Sequence, residues 1–172
     1  GLIGFAIAEF AKLRQAKVVN IIGRSNSKKA MSNQVDGVEF VLLDQIKDSY
    51  DIIFEAVGTN DSINKAIEIS EPGASIVFVG NPAGDIHFSQ DTYWKILRSQ
   101  LKLYGTWNSK FNETYENDWY EVKNMILEKK FNPEVFITHI FNQDSFLTAL
   151  DIMKNKKEPY CKIMIEWGDE AK

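Results

Sequence analysis

The sequence predicts an α/β fold built on a doubly wound parallel sheet, and three observations lead to it. Short apolar runs recur at 18–22, 38–43, 51–57 and 75–79. Runs of that length between turn residues read as strands buried on both faces. Amphipathic segments separate the runs, as crossovers between parallel strands require. Two of the runs end in glycine, at Val57-Gly58 and at Val79-Gly80-Asn81, and open parallel sheets bind ligands at the carboxyl ends of their strands.

The elements follow in order. Residues 3–13 read as a helix, with Ile3, Ile7, Phe10 and Ala11 as an apolar stripe and Ala6 and Ala8 allowing close packing. The run at 18–22 is the next strand, followed by polar turn material at 23–27. Ser27 is placed to cap a short helix through Gln34. After the strands at 38–43 and 51–57, Ile63, Ala66, Ile67 and Ser70 give a helical face that Pro72-Gly73 should stop. A strand at 75–79, a helix over 92–99 and a strand over 101–107 complete the series.

The character changes after Trp107. Residues 108–116 are polar and loop-like. Trp119, Val122, Met125 and Ile126 form one helical stripe, and Phe146, Ala149, Leu150 and Met153 form another. Between them lie Pro133 and an extended run at 135–141, and 162–165 reads as a closing strand. The division expected is a first domain at 1–107 and a second segment at 108–172.

Composition narrows the function classes. A chain of 172 residues that is 44% hydrophobic can bury one sizeable core. Twenty basic against 24 acidic residues leave a net charge of −4, so nothing suggests a nucleic-acid partner. Lys154, Lys156 and Lys157 read as a solvated helix end. Cys161 is the single cysteine, which excludes an internal disulfide and a cysteine-cluster zinc site. It reads as a buried or strand-edge thiol. His87 and His139 are far apart in sequence and read as structural or exposed, so no metal site is expected within the chain. No stretch is long and apolar enough to span a membrane, and no secretory leader is visible, so the cytoplasm is the default location. No nucleophile-elbow, phosphate-loop or His-Glu-x-x-His motif occurs.

The chemistry is suggested by the opening residues, Gly1-Leu2-Ile3-Gly4. They begin a helix, and glycines at a strand-to-helix turn let a backbone approach a pyrophosphate lying on the helix dipole. Gly1 and Gly4 would be the second and third glycines of that turn, although two glycines can also serve packing alone. An enzyme using NAD wants an acid about twenty residues further on, to bind the ribose 2′-hydroxyl. That position is Gly23, followed by Arg24 and Ser25. A glycine leaves room for a 2′-phosphate and an arginine can pair with it, which favours NADP over NAD. The alternative is a solvated turn.

These blocks resemble the medium-chain, zinc-dependent alcohol and polyol dehydrogenase family. The resemblance rests on Gly1-Leu2-Ile3-Gly4, on Phe54-Glu55-Ala56-Val57-Gly58, on the stretch from Pro72 to Gly80, and on Ile137-Thr138-His139. It extends through Leu103-Tyr104-Gly105-Thr106-Trp107-Asn108-Ser109 and the block from Lys157 to Ile165. It implies a Rossmann-type sheet whose first strand and first glycine precede Gly1. It also implies a C-terminal helix and strand segment belonging to a catalytic domain that the chain does not contain.

The implied activity is hydride transfer between a polyol or polyol phosphate and NAD or NADP, with zinc ligands and proton relay in the absent domain. The implied cofactor contacts are Gly1, Leu2, Ile3 and Gly4 at the pyrophosphate, and Gly23, Arg24 and Ser25 at the adenosine ribose. Val57, Gly58, Val79, Gly80, Asn81, Thr106 and Asn108 would meet the nicotinamide end. The resemblance further implies a homodimer through the edge strand at 101–104 (Leu101, Lys102, Leu103, Tyr104). The chain alone is expected to be inactive. A non-catalytic dinucleotide-sensing module and a zinc-free reductase of the same superfamily stay open as alternatives.

Overall fold

The computed structural model describes residues 1–33, 35–113 and 117–168. They form seven strands and six α-helices, and every strand pairing is parallel. The chain divides into two compact units, one made of Gly1–Asp44 with Phe111–Lys172 and the other of Gln45–Lys110.

In the first unit, α1 (Leu2–Leu13) leads into β1 (Val19–Gly23). A 3₁₀ turn at Asn26–Lys28 and the short α2 (Lys29–Ser32) then connect to β2 (Val38–Leu42). Ser25, not Ser27, occupies the cap position of that turn, and Gln34 lies outside the described residues. β1 and β2 pair in parallel from Val19 beside Val38 to Gly23 beside Leu42.

The later segment of the same unit carries α5 (Asp118–Leu127), β6 (Ile137–Asn142), α6 (Phe146–Asn155) and β7 (Lys162–Glu166), with β6 and β7 paired in parallel. Part of the run expected to be extended is instead a 3₁₀ turn at Pro133–Phe136, where Pro133 fixes φ at a helix start. Lys156 ends α6 in a left-handed conformation, and Lys157 pairs with Asp151.

The core of this unit joins the two ends of the sequence. Phe5 of α1 and Val35 pack with Phe131 and Phe136, and Ile21, Val122 and Met125 close around them. The rings of Phe10 and Phe131 stand 4.9 Å apart. The buried face of α1 therefore runs through Phe5 and Ala8, while Ile3 is 56% exposed. In α5, Val122 and Met125 face the core and Trp119 and Ile126 do not. A helical stripe marks a face only to within one turn, and the neighbouring element decides which edge of it is covered.

In the second unit, β3 (Tyr50–Glu55), β4 (Ser70–Phe78) and β5 (Lys102–Gly105) lie in the order β3-β4-β5. α3 (Asn60–Glu68) and α4 (Gln90–Arg98) are the crossovers. Ile63, Ala66 and Ile67 of α3 bury against Ile76 of β4, with Ile53 and Phe78 beside them. Thr59 and Ser62 form a reciprocal capping box at the start of α3.

The helix ends at Glu68, before Pro72-Gly73 is reached. The Ser70 hydroxyl donates back to the Ala66 carbonyl at 2.7 Å, and the chain pairs at once with Tyr50. Pro72 and Gly73 instead fall inside β4, at an irregularity in its register with β3, where Gly73 adopts φ +80°.

The architecture is the α/β, parallel-sheet fold that the apolar runs imply. In the doubly wound strand order 3-2-1-4-5-6 the central strand precedes the glycine-rich helix. Among the described residues β1 and β2 form one parallel sheet and β3, β4 and β5 another.

Candidate functional site

In the first unit the candidate residues cluster at the start of α1 and the end of β1. Gly1 is the cap residue of α1 without a side-chain cap, and its carbonyl accepts the Phe5 N–H at 3.0 Å. The N–H groups of the first turn have no helical acceptor, which is what an anion site on a helix uses. Leu2 packs into the core and Ile3 is exposed. A β-carbon on Gly4 would meet nothing within 4 Å, so no packing contact requires glycine there. The Lys28 ammonium lies 3.8 Å from the point a β-carbon on Gly1 would occupy. A cation beside the positive end of a helix is unfavourable by itself and favourable with an anion between them.

Gly23 closes β1, and a side chain there would have to displace Phe40 of β2. A β-carbon there would stand 2.5 Å from Cζ of Phe40, whose ring leans over from β2. Arg24 beyond it is exposed. Ser25 is exposed too, with its hydroxyl 2.9 Å from that of Ser27.

The second unit holds the more organised arrangement, and it is centred on Glu55, the last residue of β3. Glu55 is only 4% exposed. Its carboxylate accepts the Val57 N–H at 2.9 Å and the Gly58 N–H at 3.0 and 3.2 Å. Its backbone carbonyl accepts the N–H groups of Val79 and Gly80, each at 2.8 Å. One residue therefore engages four backbone donors, two from the end of its own strand and two from the end of the next.

The turn this builds leaves no room for a side chain at two positions. Gly58 sits at φ +78°, and a β-carbon there would lie 2.6 Å from the Asn81 carbonyl oxygen. A β-carbon on Gly80 would lie 2.2 Å from the Gly58 nitrogen. Their neighbours Val57 and Asn81 are exposed. The Thr106 N–H donates to the Phe78 carbonyl at 3.2 Å, continuing the β4–β5 ladder, and Asn108 follows it on the surface.

Glu55 is the residue that the motif reading passed over. The signal was present: an acid inside an apolar strand, two positions after Ile53 and therefore on the same, core-facing side. Val57, Gly58, Val79 and Gly80 give their N–H groups to Glu55, so these four donors are already committed within the turn.

The remaining candidates have other employment. His87 sits on a loop, where its N–H and carbonyl are held by Asn60 and Asn64 of α3. His139 on β6 has Nδ1 at 2.9 Å from the Thr138 hydroxyl and Nε2 at 3.5 Å from Glu158. Cys161 packs on the Phe5 cluster, and burial pushes its thiol pKa up, opposite to what a reactive thiolate needs. Among the described residues no group of three His, Cys, Asp or Glu side chains could hold a metal ion. No helix among them is long and apolar enough to cross a membrane.

Residues 3–128 match the zinc-binding dehydrogenase family. The chain is 28% identical over 145 residues to galactitol 1-phosphate 5-dehydrogenase of Escherichia coli strain K12, covering 84% of this chain and 40% of that protein. It therefore spans about two-fifths of that relative's length. A zinc-binding dehydrogenase from Sinorhizobium meliloti, solved bound to NADP, superposes with a TM-score of 0.77 at 16% identity, over 96% of this chain and 50% of the other. A short-chain alcohol dehydrogenase from Escherichia coli CFT073, solved with NADH, superposes with a TM-score of 0.78 at 18% identity, over 95% of this chain and 49% of the other. With most of its length matched by the family and its fold shared with these structures, the chain belongs to the zinc-binding dehydrogenase family.

Proposed function

We propose that the chain binds a nicotinamide dinucleotide and supplies the coenzyme part of a polyol or polyol-phosphate dehydrogenase. One observation carries this: the turn built on Glu55, which excludes side chains at Gly58 and Gly80 on two adjacent strand ends, where parallel sheets bind ligands. In this reading Gly1, Leu2, Ile3 and Gly4 receive the pyrophosphate, helped by Lys28. Gly23, Arg24 and Ser25 meet the adenosine ribose. Val57, Gly58, Val79, Gly80, Asn81, Thr106 and Asn108 line the nicotinamide end, and the carbonyls of Val79 and Thr106 suit a carboxamide N–H.

When bound, the nicotinamide accepts hydride from the carbon that bears the alcohol. Orientation and exclusion of water at the strand ends are what this chain's residues would add. The described residues contain no ligand set for zinc, so polarisation of the alcohol is assigned to the part of the relatives that this chain does not match. The chain alone is then a binder that turns nothing over. The boundary near residue 107 would divide the coenzyme domain from a segment completing the catalytic one.

The likeness to galactitol 1-phosphate 5-dehydrogenase supports a phosphorylated polyol as substrate class. Arg24 supports NADP. Gly23 supports it less, because Phe40 already accounts for a glycine there. Among the described residues β5 ends the sheet order and pairs with β4 alone, with Lys102, Leu103 and Tyr104 exposed. That open edge supports the homodimer, and light scattering should give twice the chain mass.

The cofactor reading is tested by titrating the chain with NADPH and NADH and following reduced-nicotinamide fluorescence. Tighter binding of NADPH, weakened about tenfold or more by Arg24→Asp, is expected. Tighter binding of NADH would overturn the 2′-phosphate assignment and leave the dehydrogenase reading standing.

A further inference from the structure

Glu55 is a buried acid without a cation. Among the described residues no lysine, arginine or histidine forms an ion pair with it. A carboxylate taken out of water is ordinarily matched by a charge or neutralised, because the desolvation cost is large. Here the backbone N–H groups of Val57 and Gly58 satisfy its oxygens as acceptors, but they bring no net charge. The carboxylate lies directly beneath the strand ends: Oε2 is 2.8 Å from the point a β-carbon on Gly80 would occupy.

The N–H groups that turn inward to Glu55 and the positive end of α3, which starts at Asn60 just past the turn, offset part of this charge. Dipoles do not cancel a whole charge, so the carboxylate leaves a net negative charge just beneath the ends of β3 and β4.

A nicotinamide ring carries a positive charge when oxidised and none when reduced. Resting on the cofactor reading above, we propose that Glu55 is a positioning residue of the nicotinamide end whose charge biases the site toward the oxidised dinucleotide. Its hydrogen bonds hold the turn of Gly58 and Gly80 in shape, and its charge discriminates between the two redox states of whatever ring lies on that turn. Shape alone would bind the two forms alike; charge separates them.

The test compares the wild-type chain with Glu55→Gln and Glu55→Asp, titrated calorimetrically with NADP⁺, NADPH, NAD⁺ and NADH. The wild type should bind the oxidised form of its cofactor more tightly than the reduced form. Glu55→Gln should lower the ratio of oxidised to reduced affinity about tenfold, and Glu55→Asp, which keeps the charge, should preserve the ratio even if both forms bind more weakly. Equal weakening of both forms in Glu55→Gln would overturn the charge role and leave only a structural one. Tighter binding of the reduced form by the wild type would overturn it as well, and that measurement stands even if Glu55→Gln does not fold. A folded wild-type chain that binds none of the four dinucleotides would overturn the cofactor reading and this role together. Binding with an unmoved ratio overturns this role alone.

Discussion

Glu55 and Gly80 meet at two places. The Glu55 carbonyl accepts the Gly80 N–H at 2.8 Å, and Oε2 of the same residue stands 2.8 Å from where a Gly80 β-carbon would be. The first contact joins β3 to the end of β4. The second adds to the closer backbone of Gly58, 2.2 Å from the same point, which leaves no room for a side chain at residue 80. Packing at this turn leaves no slack, whereas Gly4 at the head of α1 has open space around it.

That contrast separates two kinds of glycine. Gly80→Ala should cost on the order of 2–3 kcal/mol, because the new methyl meets backbone at Gly58 and cannot be relieved by a rotamer change. Gly4→Ala should instead stabilise by about 0.5–1 kcal/mol, since it sits within α1 and meets nothing. Urea unfolding measures both. If Gly4 serves the cofactor, the stabilised Gly4→Ala chain should nonetheless lose dinucleotide affinity.

Gly23 is coupled to Phe40. Gly23→Ala should destabilise the chain, and the combination with Phe40→Ala should cost less than the sum of the two single changes, because removing the ring removes the clash at 2.5 Å. A double-mutant cycle by thermal unfolding reads this directly. Strict additivity would show that the ring swings aside freely, and would return the argument for a glycine at this position to the cofactor.

Glu9 gives the chain a pH dependence of known sign. Burial raises its pKa above the ordinary value of 4.5, partly offset by the backbone N–H of Asn132, and its Oε2 is buried without a partner. A carboxyl with a raised native pKa contributes stability that is fully present below its ordinary pKa and is lost as pH rises through the native value. Glu9→Gln should therefore be more stable than the wild type at neutral pH. The difference should vanish as pH falls below about 4.5. A difference that grows on acidification would contradict the burial argument.

The fold was largely legible because its signals are periodic. Apolar runs and helical stripes located the seven strands of the described residues and the main helices, although β4 begins at Ser70, where a helical face was expected. What periodicity could not show was which edge of a stripe is covered. Ile3 and Trp119 lie on the expected stripes and are exposed, while Val122 of the α5 stripe and Phe5, outside the α1 stripe, carry the contacts, since that choice depends on Phe131 and Phe136 far along the chain. At the candidate site the glycines were legible and what fixes them was not. Gly58 and Gly80 stand out in sequence, whereas the bonds that fix them come from Glu55, whose role depends on its side chain folding back beneath its own turn. Phe40 was hidden for a similar reason: its relation to Gly23 exists only once β1 and β2 are paired in register.

The central claim is that a nicotinamide dinucleotide contacts the glycine turns of this chain, and amide chemical-shift mapping on addition of NADPH tests it most directly. The account predicts saturable shifts at Leu2, Ile3 and Gly4, at Arg24 and Ser25, and at Gly58, Gly80, Asn81 and Asn108, with β6 and β7 left unmoved. Shifts confined to β6 and β7, or none at millimolar NADPH in a folded chain, would contradict it.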